Sequence, residues 1–301
     1  MIKNLSNPFS TGGGGVNFEG HVQASFVTLM LTSGHAPYLP YWPIVEVKLQ
    51  GKVDGFETDD FIVVVEHTGS KERRKLLGQI KHSVSITKGN SIFGEVIQAA
   101  WSDFQNPNIF VRGKEIIALI TGFLTKTDSE VAWLLDHARA NPNDPTRFFE
   151  NIGRANFSSK VKREKLEVFR YHLKKANDGV DLTDEAFHAF LKSFHLLGYD
   201  LGEEKGVVLS LINSHISQFK PESPRFVWSR ILEFTNNRNH HAGHISRRDL
   251  PEELTAIFAS EPPRLIPENF TKPQVTNTNW PQHPDATSLA LAILIGEWRD
   301  K

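Results

Sequence analysis

The sequence predicts an α/β protein of the α+β kind, with a small mixed sheet flanked by helices and then an all-α domain. In the first 130 or so residues, hydrophobic periodicity changes in the order helix, strand, strand, strand, helix, strand. Beyond about residue 128 the strand signals fade and helical spacing dominates. We therefore expect a first domain at residues 1–154 and a helical domain at residues 155–301.

The elements of the first domain follow one another with clear breaks. Phe18, Val22, Phe26 and Leu29 recur at helical spacing, and residues 44–49 alternate apolar and polar as in a strand with one wet face. Two more strands are predicted where residues 60–66 and 76–81 form apolar runs. A helix then follows Asn90 or Ser91 as its N-cap, and the continuous apolar run at residues 115–121 predicts a strand buried on both faces.

The second half shows apolar stripes at helical spacing. They comprise Leu166, Phe169 and Leu173; then Phe187, Phe190, Leu191 and Phe194; then Val208, Leu211, Ile212 and Ile216. Breaks at Asn-Pro and Asn-Asp-Gly segments separate these predicted helices, and six prolines in residues 261–284 predict an extended linker.

The composition narrows the functional classes. With 34 Lys and Arg against 35 Asp and Glu, the net charge is −1, so any nucleic-acid binding must rest on local basic patches. The absence of cysteine excludes disulfides, thiol catalysis and cysteine zinc sites. No stretch of about 20 apolar residues occurs. We expect a soluble, cytoplasmic protein with no membrane partner.

An acidic pair and a Gln-x-Lys segment carry the main chemical signal. Asp59 and Asp60 open one predicted strand, and Gln79 and Lys81 close another, with Gln79 following Asp60 by 19 positions. Side chains alternate faces in a strand, so Gln79 and Lys81 point the same way. If the strands are neighbours, a divalent ion can bind between the carboxylate and amide oxygens while the lysine orients or deprotonates water. This pattern predicts a metal-dependent phosphodiesterase.

Simpler interpretations of the same residues remain open. An Asp at a strand start can cap a turn, and Asp59 fits that role better than Asp60, but the sequence does not decide which of them binds metal. Gln79 and Lys81 can also line the wet face of an amphipathic strand.

Four short segments of the sequence resemble the motifs of a known family. They are Gly15-Val16-Asn17-Phe18-Glu19, Thr58-Asp59-Asp60-Phe61, Gln79-Ile80-Lys81-His82 and Phe93-Gly94-Glu95-Val96-Ile97-Gln98. In this order they resemble the PD-(D/E)XK nuclease superfamily in its Gln-x-Lys variant. More narrowly, the first 150 residues resemble the DNA endonuclease domain of CD-NTase-associated effectors and of antiviral STAND NTPases. The resemblance implies a restriction-endonuclease-like fold and cleavage of double-stranded DNA with Mg²⁺ or Mn²⁺.

The resemblance also assigns roles to residues. It implies Asp60 as the metal-binding acid, with Asp59 as the alternate, and Gln79 as the second ligand in place of the commoner Glu or Asp. It implies Lys81 as the lysine near the attacking water and Glu19 as a helix-borne acidic ligand, directly or through water. Gln79 is a departure from the family pattern, because it removes one negative charge and weakens metal binding.

Candidate DNA contacts are less specific. Lys71, Arg73, Arg74 and Lys75 form a basic loop that we expect beside the site, where phosphates would be its natural partner. A solvated surface loop is the simpler interpretation of such a run.

In proteins that this chain resembles, a helical stretch such as residues 155–301 leads into a nucleotide-binding module. No Gly-x-x-x-x-Gly-Lys-Ser/Thr occurs here, so we expect control by an NTPase or sensor module that is absent from this chain or separate. By family analogy, the effector would be activated by assembly into a homo-oligomer during phage infection. The alternatives are a non-catalytic DNA- or protein-binding module on a degenerate nuclease fold, and a helical adaptor whose first domain docks.

Overall fold

A six-stranded mixed sheet forms the centre of the molecule. The computed structural model describes residues 13–201 and 206–259. The strands lie in the order β5-β4-β3-β2-β1-β6, with antiparallel pairing from β3 to β6 and parallel pairing from β3 to β5. The strands are β1 Ile44–Leu49, β2 Phe61–Glu66, β3 Arg73–Ile80, β4 Ile116–Thr121, β5 Phe194–Gly198 and β6 His244–Ser246. The predicted α+β class is confirmed.

Helices cover both faces of the sheet. Within the described ranges they are α1 Gly13–Leu31, α2 Ser91–Gln105, α3 Lys126–Ala140, α4 Pro145–Gly153, α5 Lys160–Ala176, α6 Asp184–Ser193, α7 Val207–Ser217, α8 Pro224–Asn239 and α9 Glu252–Ala259. The predicted N-cap of α2 is Asn90, whose side chain accepts a hydrogen bond from the backbone N–H of Phe93 at 2.8 Å. None of these helices has both the length and the apolarity that a membrane span requires.

The two faces of the sheet have separate apolar cores. Ile62 and Val64 of β2 pack into a core formed with α2 to α6, while Phe61, Val63 and Val65 pack into a second core with α1, α7 and α8. Successive side chains of a strand point to opposite faces, so a strand with apolar side chains on both faces reads as a continuous apolar run. This arrangement leaves the strand ends as the places where polar side chains can gather.

The prediction of an all-α second domain is wrong, because this part of the chain contributes two strands to the sheet. β5 and β6 lie at the two edges of the sheet, although both fall in the segment predicted to be helical. Helical spacing predicts Phe194 as part of the apolar stripe of α6, whereas in the structure it is the first residue of β5. A short apolar run after a helix cannot be distinguished from the helix by periodicity alone, and β6 has only 3 residues.

No structural break occurs at residue 154. Helix α5 packs against α2, and all the described residues belong to one compact unit. The remainder of the predicted helical domain and the predicted linker, residues 260–301, lie outside the described residues.

Candidate active site

The register of β2 and β3 brings Asp60 to Gln79. Phe61 pairs with Gly78, so Asp60, the residue before β2, lies against the last residues of β3. The Gln79 Nε2 donates to Asp60 Oδ2 at 2.6 Å, and the backbone N–H of Ile80 donates to the same oxygen at 2.5 Å. The predicted convergence of these two strands is confirmed, whereas the metal-binding role of the residues stays a prediction.

A glycine in β3 permits this close approach. A Cβ at Gly78 would lie 2.0 Å from a ring carbon of Phe61, well inside van der Waals contact. The bare backbone at Gly78 therefore lets the Phe61 ring pack across β3, which brings the residue before it against Gln79.

Lys81 completes the convergence just beyond β3. Its Nζ lies 3.6 Å from Asp60 Oδ2, and its backbone N–H donates to the Ile120 carbonyl oxygen at 2.9 Å. That backbone bond continues the pairing with β4 by one residue. A third of the Lys81 side chain, 33%, remains exposed. The ammonium thus lies between the Asp60 carboxylate and solvent.

Burial leaves the Asp60 carboxylate short of compensating charge. Burial raises the pKa of Asp60 to about 6, against the opposing effects of Lys81 and the Ile80 N–H, and nearby Glu19 and Asp59 add to the rise. Among the described residues, Asp60 Oδ1 accepts no hydrogen bond. A bound cation would stabilise the ionised carboxylate at this position.

A buried carboxylate holds the loop before the acidic pair. Asp103 of α2 accepts hydrogen bonds from the backbone N–H groups of Glu57 at 2.9 Å and Thr58 at 2.7 Å. Because Asp103 is itself only 2% exposed, these bonds fix the segment leading into Asp59 and Asp60 against α2. No pattern in the sequence indicates this role, because Asp103 lies 45 or more positions from its partners.

Glu19 is joined to this site through two amide side chains. Its Oε1 accepts hydrogen bonds from Gln23 Nε2 and from Asn239 Nδ2, both at 3.1 Å. Gln23 Nε2 also donates to the Asp60 carbonyl oxygen at 2.8 Å, which ties α1 to the acid-bearing strand end. Glu19 therefore belongs to the same hydrogen-bonded cluster, although its contact with Asp60 is indirect, and its role as a metal ligand stays a prediction.

Sequence reasoning missed Gln23 and Asn239. Gln23 had a detectable signal: it is four residues after Glu19 on one helix and is a polar residue within an apolar stripe. The structure buries Gln23 completely, and its Oε1 has no hydrogen-bond partner in the part of the chain described. Asn239 gave no signal, because folding brings it to Glu19 from 220 positions away.

The donor set fits a hard cation that keeps its own waters. Asp60, Glu19, Gln79 and the alternate Asp59 offer only oxygen and amide ligands, as Mg²⁺ and Mn²⁺ prefer. Over residues 13–201 and 206–259, no three His, Asp or Glu side chains cluster closely enough to hold a metal by themselves. A metal here would therefore rest on Asp60 with few protein ligands. Gln79 presents Nε2 to Asp60, so its amide must turn before its oxygen can bind metal.

Asp59 and Asp60 occupy different positions. Asp60 contacts Gln79 and Lys81, whereas Asp59 lines an open cleft of about 1050 Å³ beside them. Typical small-molecule sites are about 300–1,000 Å³, so this cleft has room for a larger ligand. Further lining residues come from α2, α5 and the loop before α2, among them Lys88, Glu95, Gln98, Tyr171 and Lys175.

The basic loop lies at the other end of β3. Gln79 follows Arg73 by six residues of one strand, which is a separation of about 20 Å. Carboxylates pair with each of the four cations: Lys71 and Arg73 with Glu66 at 3.3 and 2.9 Å, Arg74 with Glu72 at 2.6 Å, and Lys75 with Glu115 at 3.2 Å. The expected position beside the site is wrong, because the strand carries its two polar ends apart. Any DNA contact of this loop stays a prediction.

Comparisons with known proteins assign no family. No family model matches the sequence, and no curated protein matches it significantly. One similar solved structure is the Acinetobacter baumannii Cap4 SAVED/CARF-domain containing receptor with the cyclic trinucleotide 3'3'3'-cAAA, at 12% identity and a TM-score of 0.43. Another structure of that receptor has 12% identity and a TM-score of 0.42. Each match covers 81% of this chain and 46% of the receptor chain. At these values the similarity assigns neither function nor site residues.

Proposed function

We propose that this chain is a metal-dependent deoxyribonuclease that hydrolyses phosphodiester bonds of double-stranded DNA. One observation carries the proposal: Gln79 Nε2 and Lys81 Nζ lie 2.6 and 3.6 Å from Asp60 Oδ2. These three residues meet at the edge of a large open cleft. The order α1-β1-β2-β3-α2-β4 supports it, because it is the order on which the nuclease resemblance of the sequence rests.

The residues have distinct roles in this proposal. Asp60, with the turned amide of Gln79, would hold Mg²⁺ or Mn²⁺, and Glu19 would add a ligand directly or through water. When bound, the metal supplies positive charge for the scissile phosphate and lowers the pKa of water. Lys81 places an ammonium donor between Asp60 and solvent, where it can orient the attacking water or neutralise a phosphate oxygen. Gln23 and Asn239 hold Glu19 in place by donating to its Oε1.

The biological setting of the proposal is antiviral defence. It rests on the sequence resemblance to CD-NTase-associated effectors and STAND NTPases, which is an analogy between families. In that setting an NTPase or sensor module would assemble several copies of the chain, and assembly would activate cleavage.

Plasmid cleavage tests the enzymatic proposal. Purified protein at high concentration, which favours assembly, is incubated with supercoiled plasmid and Mg²⁺ or Mn²⁺, beside an EDTA arm and the Lys81→Ala variant. We expect nicked or linear DNA only with wild type and metal. Equal cutting by Lys81→Ala would show that another site does the chemistry.

A second candidate function follows from the contact between Gln79 and Asp60. In this 2.6 Å hydrogen bond the carboxylate oxygen already accepts from an amide N–H. Such an oxygen is not available to a metal, as expected of a fold that binds DNA without one. A DNA band shift that is insensitive to EDTA, with no cleavage in either metal, would favour this binding module.

A further inference from the structure

On the wall of the cleft, two lysine ammonium groups lie near one aromatic ring. Lys175 Nζ lies 4.6 Å from the ring centroid of Tyr171, and Lys88 Nζ lies 5.8 Å from it. Both distances are within the range of cation–π attraction, which is about 6 Å. All three residues line the cleft that also contains Asp59, Gln79 and Lys81. We refer to Lys88, Tyr171 and Lys175 as the cleft patch.

The two ammonium groups of the cleft patch have no carboxylate partner in the part of the chain that the structure describes. Neither Lys88 nor Lys175 forms an ion pair with any residue in the described ranges, and both side chains are exposed. By contrast, Lys174 pairs with Asp181 at 2.7 Å, although it is the immediate neighbour of Lys175. Two like charges against one ring repel each other, and an anion between or beside them would relieve that repulsion.

The cleft patch has a fixed position relative to the candidate active site. The ring of His172, next to Tyr171, donates a hydrogen bond to the Thr87 carbonyl oxygen at 2.9 Å, and Lys165 Nζ donates to the Ile86 carbonyl oxygen at 2.5 Å. Ile86 and Thr87 belong to the short segment that runs from Lys81 to α2. Helix α5 is therefore attached to the backbone segment that follows β3.

From these contacts we propose that the cleft patch binds the phosphate backbone of the DNA strand that enters the Asp60 site. The inference rests on the proposed nuclease function and names the surface that holds its substrate. Lys88 and Lys175 neutralise phosphates without reading sequence. Tyr171 is a positioning residue, because its ring fixes both ammonium groups at the cleft wall.

Salt-dependent DNA binding tests this proposal. The probe is a short fluorescent DNA duplex, and binding is measured by anisotropy over a range of salt concentrations in a Lys81→Ala background, which prevents cutting. The Lys88→Ala/Lys175→Ala pair should lose roughly 10-fold or more in affinity at low salt. Its slope of log affinity against log salt should become less steep by about 1.8, since each phosphate contact contributes about 0.9.

Two matched controls separate local binding from general charge loss. Lys174→Ala removes one positive charge from the adjacent position, where Asp181 already pairs with it, so its slope should equal the wild-type value. Tyr171→Phe keeps the ring and should bind as wild type does, whereas Tyr171→Ala should weaken binding without changing the formal charge.

The outcomes distinguish the patch from the nuclease itself. If the double variant binds DNA with the wild-type salt slope while wild type still cuts plasmid in a Lys81-dependent way, the patch is wrong and the proposed function stands. If wild type neither binds nor cuts DNA, both proposals are overturned.

Discussion

The two ends of strand β3 treat charge in opposite ways. At the first end, Arg73 and Arg74 pair with Glu66 and Glu72, and hydrogen bonds from Arg73 and then Lys71 lower the pKa of Glu66. At the last end, burial raises the pKa of Asp60 to about 6, although Lys81 lies 3.6 Å away.

This difference separates structural charge from reactive charge. The cations at the first end already form ion pairs with carboxylates, so their positive charge is largely neutralised and attracts an anionic ligand weakly. The ionised carboxylate at the last end is destabilised by burial and lies next to Gln79 and Lys81, which line the cleft. Under that condition, binding a cation would stabilise the ionised carboxylate. The basic loop has more charged residues, yet the buried carboxylate whose ionisation is disfavoured lies at the opposite end of β3.

The largest expected effect comes from Lys81→Ala. Removing the ammonium should lower the initial rate of plasmid cleavage by about 10²- to 10⁴-fold, as expected for loss of a group acting on the attacking water. Arg73→Ala, on the same strand, is the matched control and should cut at the wild-type rate because its charge already pairs with Glu66. An equal loss of cleavage rate in both variants would contradict the proposed difference between the two ends of β3.

Asp60→Asn should lower the rate of cleavage by a similar factor and stabilise the protein at neutral pH. The folded-state pKa of Asp60 lies near 6, above its ordinary value of 3.8, so ionisation favours the unfolded chain. Wild type therefore loses free energy of unfolding as pH rises from about 4 to 6, and the variant does not. Denaturant unfolding in EDTA should show a variant advantage of about 1–3 kcal/mol at pH 7.5. The advantage should vanish near pH 3.5; a variant less stable at pH 7.5 would contradict the assignment.

Lys75→Met should destabilise the fold without altering cleavage. Lys75 is paired with Glu115, which is 7% exposed, and also donates to the Ile109 carbonyl oxygen at 2.6 Å. Methionine keeps the apolar stem but leaves Glu115 buried without its cation, at a cost of about 2 kcal/mol. Urea unfolding measures that cost. Cleavage per folded molecule should remain at the wild-type level, and a selective loss of cleavage would place part of the active surface at this end.

Gln79→Glu should give the smallest change. It restores the second acidic ligand, so the Mn²⁺ concentration for half-maximal cleavage should fall by about 3- to 10-fold at pH 8. The comparison belongs at pH 8 because a new negative charge beside Asp60 raises the pKa of that carboxyl further. Gln79→Ala is the matched control and should require more Mn²⁺ than wild type. An unchanged Mn²⁺ requirement in both variants would remove Gln79 from the metal site.

The sequence predicted the parts of the site that lie close together along the chain. The apolar runs at β2 and β3 predicted two strands, and alternation placed Gln79 and Lys81 on one face, so their meeting with Asp60 needed only that the strands be neighbours. Periodicity could not show that residues 194–198 and 244–246 complete the sheet, because short strands after helices look like helix ends.

Contacts between residues far apart in the sequence could not be predicted from the sequence. Asn239 reaches Glu19 from α8, and Tyr171 and Lys175 reach the cleft from α5, because the tertiary packing of those helices decides where their polar faces point. Three cations of the basic loop illustrate the same limit, because the pairing of Lys71 and Arg73 with Glu66 and of Lys75 with Glu115 becomes visible only when strands pair.

Binding of Mn²⁺ tests the central claim most directly, because it needs neither DNA nor an activating partner. Isothermal titration of wild type, Asp60→Asn and Asp59→Asn at pH 7.5 compares the two neighbouring acids in one experiment. We predict a Mn²⁺ site in wild type that is lost in Asp60→Asn and retained in Asp59→Asn. Unchanged Mn²⁺ binding in Asp60→Asn, or none in wild type, would contradict the assignment of the metal site to the last end of β3.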